Sequence, residues 1–319
     1  MNNNILVSVI MVAFNHEKFI KKAIESVLNQ QTNFNYEIII HDDASTDETA
    51  NIIRKYQSKY PEKIHSILAT ENKYSKGIKF TSKELIPMAR GKYYAFIECD
   101  DYWTDMNKLQ KQVDYLEQHS EVVAAAHRHN IIDENDNVLD SSLNGIQLDR
   151  CFNHKDAFEF GEKLFHPNTV LIRTEIVKNE EYAKGTELCK LGSHSFLVYY
   201  LAMKGDIYVS SEIMSVWRKV VVVGGNSYSS REITYPITYS IMQLEKVCNY
   251  RDFFNGFYDF SDKIIDYGLS AYISLKFKKE ENINKKDLKK KYRKLLNFKE
   301  RIRVYFRFLK FGFKRFFKK

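Results

Sequence analysis

The chain has 319 residues, 44% hydrophobic and 28% charged, the balance of an ordinary folded protein large enough for one catalytic domain and an appendage. Only 4 Pro and 12 Gly argue against a long disordered linker, and four cysteines (Cys99, Cys151, Cys189, Cys248) with no C-x-x-C pair argue against a zinc or thioredoxin-like centre and fit a reducing cytosol. Residues 285–319 hold 16 Lys/Arg against 2 Asp/Glu, a net +14, while the other 284 hold 33 against 39, a net −6, so the overall +8 is a property of one terminal segment.

The amino terminus has neither a basic start nor a small-residue cleavage site, and no run of about 18 apolar residues follows, so neither a signal peptide nor a membrane span is expected. Residues 5–13 form a continuous apolar run without helical period, the mark of a strand buried on both faces. After a loop at 14–16, residues 17–30 carry an apolar stripe at helical spacing. A second buried strand is predicted at 36–40 and a helix at 49–60, with Ser45 or Thr46 as its cap. A strand at 64–69, a helix at 83–89, a strand at 93–97 and a helix at 109–119 follow. Strands are then expected at 122–126, 169–173, 207–209 and 213–217, with a turn at 134–137 and an apolar helix at 196–203 ending near Gly205. Residues 231–284 show mixed helical patterns and no motif.

Alternating strands and helices imply βαβ units and a mostly parallel sheet, in which ligands bind beyond the carboxyl ends of the strands. Three polar clusters fall at such ends: Asn15 to Glu17, Asp42-Asp43, and Glu98 to Asp101. In Glu98-Cys99-Asp100-Asp101, acidic groups following a buried strand are costly unless solvated or paired with a cation. Hard oxygen ligands of this kind suit Mg²⁺ or Mn²⁺ bridging a diphosphate, and the bland alternative is a surface turn. Asp43 is the ligand candidate of the second cluster, and Asp47 reads as a helix cap. In the first, Glu17 could accept from a ribose hydroxyl, and Phe14 could lie beside a base or simply fill the core.

Taken in order, Val9-Ile10-Met11-Val12-Ala13-Phe14-Asn15 with Glu17, Ser26-Val27-Leu28-Asn29-Gln30, residues 39–47 and Ile97-Glu98-Cys99-Asp100-Asp101-Tyr102-Trp103 resemble glycosyltransferase family 2. The resemblance covers roughly residues 5–225, and the last motif is similar to a branch associated with polysaccharide and lipopolysaccharide assembly. It implies a GT-A fold and inverting transfer from a nucleoside-diphosphate sugar to a glycan or lipid-linked acceptor. By position it implies that Ala13, Asn15 and Glu17 border the nucleotide and that Asp43 faces the base. Asp100 or Asp101 would hold the metal with help from Glu98, and Arg218 would lie near the phosphates. His166-Pro167-Asn168-Thr169 falls at the family's acceptor pocket, and Trp217-Arg218 with Gly224-Gly225-Asn226-Ser227 resembles its late aromatic-Arg and Gly-Gly-x-Ser segment.

Two departures stand out. Ser193 occupies the place where relatives carry the catalytic Asp, which leaves His194 or Glu187 as base, or a degenerate relative that binds nucleotide sugar or glycan without turnover. Residues 219–223 replace a shorter, His-containing stretch. The expected organisation is a catalytic domain at 1–225, a helical extension at 226–284 and a basic amphipathic tail at 285–319. In that tail Phe298, Ile302, Tyr305, Leu309, Phe313 and Phe316 recur at helical spacing among cations, the pattern of a helix lying in an anionic membrane interface. The expected location is therefore cytoplasmic, peripheral on the inner face of the plasma membrane. A nucleic-acid partner is not expected, because the body is acidic.

Overall fold

The structure is a computed structural model that describes residues 4–189, 192–220, 232–281 and 283–316. It divides into two compact units, one of Met1–Glu187 with His194–Lys219, the other of Leu188–Ser193 with Val220–Lys319.

The first unit is built on one sheet. Its strands are β1 (Ile5–Ala13), β2 (Asn35–Asp42), β3 (Ile64–Leu68), β4 (Tyr93–Glu98), β5 (Tyr102–Trp103), β6 (Val122–Ile132), β7 (Val138–Ser141), β8 (Arg150–Phe152), β9 (Leu171–Arg173) and β10 (Asp206–Arg218). They lie in the order β3-β2-β1-β4-β9-β6-β10-β5, with β7 on β6 and β8 on β10. The first four are mutually parallel, as the apolar runs imply; β9 then runs antiparallel to both neighbours, and β6 and β10 are again parallel. This is a mixed α/β sheet of the GT-A kind rather than a uniformly parallel one.

Helices α1 (Ile20–Leu28), α2 (Thr49–Lys59), α3 (Ile86–Met88) and α4 (Lys108–Gln118) connect the early strands. The α1 stripe of Ile20, Ala23, Ile24 and Val27 is wholly buried, which fixes the face it turns to the sheet. The chain enters β4 through Gly91, where a Cβ would stand 2.6 Å from the Ser8 backbone nitrogen; only glycine lets β4 lie this close to β1. Ser8 Oγ there accepts from the Gly91 N–H and donates to buried Glu37, which Arg90 also grips.

The strands expected at 207–209 and 213–217 are one strand, β10, whose register on β6 shifts between Ser210 and Ile213. The exposed Ser211 and Glu212 at this bulge interrupt the apolar pattern and read as a gap in sequence. The strand expected at 122–126 continues to Ile132, and the turn at 134–137 closes a hairpin with β7, with Asp136 at φ 66°. Further helices are α5 (His154–Phe160), α6 (Thr174–Val177), α7 (Glu180–Glu187) and α8 (His194–Lys204).

The second unit contains α9 (Pro236–Phe254), α10 (Ser261–Phe277), α11 (Lys285–Leu295) and α12 (Phe298–Phe316). Gly268 of α10 lets α12 approach; a Cβ there would meet Val304 Cγ2 at 2.9 Å. The basic segment is therefore not a free appendage: Val304 and Leu296 are buried within the unit. The expected Gly224-Gly225-Asn226-Ser227 segment lies outside the described residues, as do the side chains of Phe313 and Phe316. No described helix is long and apolar enough to cross a membrane.

Candidate active site

The loops that leave β1, β2 and β4 meet at one rim of the sheet. Asn15 adopts φ 57°, a left-handed conformation that Asn tolerates. Its N–H donates to Ser45 Oγ at 2.8 Å and its Oδ1 accepts from the Thr46 N–H at 2.8 Å. Glu17 Oε2 accepts from the Glu48 N–H, and the Glu17 N–H donates to Asp47 Oδ2, both at 3.1 Å. Two of the residues expected to border a nucleotide thus lace the first loop to the second. Ala13 joins them through its carbonyl, which accepts from the Asp43 N–H. Phe14 is 43% exposed at this rim, which removes the core-filling alternative.

Asp43 is buried, and its two oxygens accept from the backbone N–H groups of Lys73 and Tyr74 at 2.8 and 2.9 Å. In this arrangement it anchors the turn at 73–74 beside the rim. Asp47 Oδ1 accepts from the Thr49 N–H at the start of α2, as its reading as a cap implies.

Glu98, Asp100 and Asp101 each offer a ligand oxygen, and these atoms lie within 4.8 Å of one another. Asp101 is buried: Oδ1 accepts from the Arg218 N–H and Oδ2 from Asn168 Nδ2, each at 2.7 Å. Burial, and then the charges of Asp100 and Glu98, hold its carboxyl well above the usual range. Withdrawal from water and the charge of Asp100 push the Glu98 carboxyl up to about 8. Asp100 Oδ1 is buried and, among the described residues, has no hydrogen-bond partner, and His16, whose Nε2 lies 4.0 Å from Asp100 Oδ2, has an Nδ1 that is likewise unpartnered among them. Three crowded carboxylates, one with an oxygen unpartnered among the described residues, form a hard donor set that a divalent cation fits, since a cation offsets both their mutual repulsion and their withdrawal from water.

Arg218 stands beside this cluster, buried, with its donors committed. Nε donates to the Asp100 carbonyl at 2.9 Å, one terminal nitrogen to the Asp133 carbonyl at 2.7 Å and the other to Asp136 Oδ1 at 2.5 Å. The arginine expected near phosphates thus holds the acidic loop against the β6–β7 hairpin.

Asn168, in the His-Pro-Asn-Thr segment that the resemblance sets at an acceptor pocket, is a buried bridge. Its Nδ2 reaches Asp101 and the Val216 carbonyl, its Oδ1 accepts from Ser215 Oγ, and its carbonyl accepts from Trp103 Nε1 at 3.0 Å. His166 Nδ1 lies 4.0 Å from Asp101 Oδ2, and its ring stacks on Trp217 at 5.2 Å. The ring of His194 meets that of His166 at 5.8 Å, and its Nε2 bonds the Phe165 carbonyl. His194 is therefore linked to the acidic cluster through His166. Glu187 lies at the end of α7, exposed and paired with Lys83. Burial keeps His166 neutral far below its usual range and, followed by the charge of His194, lowers His129 beside it to about 4.

Comparison with known proteins matches this architecture. The family model for glycosyl transferase family 2 covers residues 8–179. An uncharacterized protein of Mycobacterium tuberculosis is 41% identical over 212 residues, 66% of this chain and 58% of that one, so the chain spans little more than half the length of that relative. The UDP-Glc:alpha-D-GlcNAc-diphosphoundecaprenol beta-1,3-glucosyltransferase WfaP of Escherichia coli is 38% identical over 112 residues, 35% of this chain and 41% of that one. Among solved structures, residues 1–349 of TarS of S. aureus in complex with UDP superpose with a TM-score of 0.55 at 16% identity, over 86% of this chain and 72% of that one, a likeness of fold. With the family model spanning more than half of the chain and the acidic cluster lying within it, this protein belongs to glycosyl transferase family 2.

Proposed function

We propose that the chain transfers a sugar from a nucleoside-diphosphate sugar to a glycan or lipid-linked acceptor, with inversion and with the help of Mg²⁺ or Mn²⁺. The observation that carries this reading is the cluster of Glu98, Asp100 and Asp101 at the strand ends, with one buried carboxylate oxygen that has no partner among the described residues. These residues would hold the cation, which when bound offsets the charge of the departing diphosphate. Asn15 and Glu17 shape the loops that border the nucleotide, and Asp43 sets the turn at 73–74 beside the base. Exposed Phe14 offers a face for the base to lie on.

In an inverting displacement the acceptor hydroxyl attacks the anomeric carbon opposite the diphosphate, and a base takes the hydroxyl proton. His194 suits that task better than Glu187. Its Nε2 faces a carbonyl, which only accepts, so the proton of the neutral ring sits on Nε2, and an imidazole has a pKa suited to a base near neutral pH. Arg218 and Asn168 act indirectly by fixing the backbone and carboxylate of the acidic loop. The donor named for the E. coli relative makes uridine-diphosphate sugars the first to test, and its diphosphoundecaprenol acceptor suggests surface polysaccharide synthesis at the inner face of the plasma membrane.

The test is release of nucleoside diphosphate from a panel of nucleotide sugars with Mn²⁺ or Mg²⁺. Chelation or Asp100→Asn should abolish release. His194→Gln should lower kcat by roughly 10²–10⁴, the usual worth of a general base, while Glu187→Gln changes it only a few-fold. Release that is indifferent to chelator and to Asp100→Asn would end the metal reading. Ser193 keeps one rival in view: a relative that binds nucleotide sugar without turnover, expected to show tight nucleotide binding and no release from any donor.

A further inference from the structure

The helix α12 presents two faces. One is sealed into the second unit: Val304 is buried against α10, Phe308 stacks on Phe277 and crosses Tyr272 edge-on, and Glu300 pairs with Arg251. The opposite face is bare: Phe298 is 69% exposed, Phe306 64% and Tyr305 50%, with Ile302 and Leu309 between them. Positions 298, 302, 305, 306 and 309 fall within about a third of the helix circumference, at 3.6 residues per turn. Phe306 broadens this stripe beyond the row legible from 3–4 spacing alone. Large aromatics gathered in one exposed stripe mark an interaction surface rather than scattered surface residues.

The cations around the stripe are distributed unevenly. Arg303 and Arg307, toward the sealed side, are paired with Asp262 and Asp266 of α10. Arg301 borders one edge of the stripe and lends a donor to the Arg293 carbonyl, and among the described residues no acidic group balances its charge. Lys299 and Lys310, both exposed, border the other edge, and among the described residues neither has an acidic partner. An aromatic ridge with uncompensated cations on both edges, Arg301 on one and Lys299 and Lys310 on the other, fits a sheet of anionic headgroups over an apolar interior: the rings enter the acyl boundary while the cations reach phosphate. A second copy of the same face would bring uncompensated cations against uncompensated cations with no acidic group between them, so self-association is the poorer fit.

We infer that this outward face of α12 is a docking surface for an anionic lipid bilayer, with Phe298, Tyr305 and Phe306 as the inserting side chains and Lys299, Arg301 and Lys310 as the headgroup contacts. The inference is independent of the transfer reading, since none of these residues belongs to the acidic cluster or its supports.

The test uses the full chain and vesicles of phosphatidylcholine with or without phosphatidylglycerol. The protein should float with vesicles containing phosphatidylglycerol, at least tenfold less with pure phosphatidylcholine, and less at high salt. Phe298→Glu with Phe306→Glu should reduce flotation at least tenfold while nucleotide release in solution stays unchanged. As a gain of signal that does not depend on disruption, Phe306→Trp should shift its emission to the blue on addition of phosphatidylglycerol vesicles. Failure of the unaltered chain to float, unchanged flotation of the double variant, or a double variant that only turns a dimer into a monomer would each overturn the inference. Absence of nucleotide release from the unaltered chain, with its flotation intact, would instead count against the transfer reading.

Discussion

Lys108 has no exposed surface, yet it lies five residues beyond the acidic Tyr-Trp motif and steadies it. Its ammonium stands 4.1 Å from the centre of the Trp103 ring and donates to Gln112 Oε1 at 2.7 Å. Gln112 in turn donates to the carbonyls of Ala125 and Thr169, next to the Asn168 that bridges Asp101. Burial lowers the Lys108 ammonium from its ordinary 10.5 to about 7, against a smaller opposing pull from Asp105. Between those values the unfolded chain holds this proton and the folded chain has released it, so stability from this group rises with pH across pH 7 to 10.5 and is flat below. The slope is at most roughly 1.4 kcal/mol per pH unit. Relative to a Lys108→Met variant, the urea stability of the native chain should therefore climb over that window; parallel profiles for the two would show that Lys108 keeps an ordinary pKa. At this scale the sequence disclosed the acidic residues, because a polar cluster after an apolar run is a local signal. It did not disclose their partners. Asn168 meets Asp101 across 67 residues and Arg218 meets Asp136 across 82, and no periodicity links positions that far apart.

Two glycines show how closely the elements approach, and the same substitution should have different effects at each. At Gly91 an added Cβ would stand 2.6 Å from the Ser8 nitrogen, 2.7 Å from the Val7 carbonyl carbon and 2.8 Å from the Tyr93 oxygen, all backbone. Strands β1 and β4 would have to part, and overpacking of this kind costs about 1–3 kcal/mol or more where nothing can yield. At Gly268 the nearest atoms are side-chain ends, Val304 Cγ2 at 2.9 Å and Leu296 Cδ1 at 3.3 Å, which can shift. Alanine there also gains up to about 1 kcal/mol of helix propensity, which offsets the crowding. Gly91→Ala should lower the urea midpoint of the sheet unit markedly or prevent folding, and Gly268→Ala should leave stability within about 1 kcal/mol. Equal effects would mean that the Gly91 contacts relax more easily than their backbone character allows. The parallel pairs β1–β2 and β1–β4 were legible because strands buried on both faces are apolar throughout. The antiparallel β9 and the bulge in β10 were less so, since three residues carry little pattern and a polar bulge imitates a loop.

Over the whole molecule, charge and packing assign different parts of the carboxyl-terminal segment to different roles. Its +14 charge is plain in composition, and the sequence alone makes it an appended tail. Composition cannot show that one face of α12 also completes the second unit, because a helix with an aromatic stripe and a single buried Val304 looks the same whether or not its back is covered. Removing residues 298–319 therefore does more than remove an exposed aromatic face. Burial of a Val-sized side chain contributes about 1.5–3 kcal/mol, which is lost when Val304 goes with the segment, and the facing surface of α10 around Gly268 loses its cover as well. The ion pairs of Arg303 and Arg307 with α10 are exposed and add little, about 0–1 kcal/mol each. The shortened chain should show faster amide exchange in α9 and α10 and earlier proteolysis there, while β1, β2 and β4 keep their protection, because the sheet unit has its own core. Membrane binding should then be compared using Phe298→Glu with Phe306→Glu, which alters only the outward face. If α10 exchanges at the same rate in the shortened and full chains, the inner face of α12 contributes nothing to the unit, and the segment is the detachable tail its composition suggests.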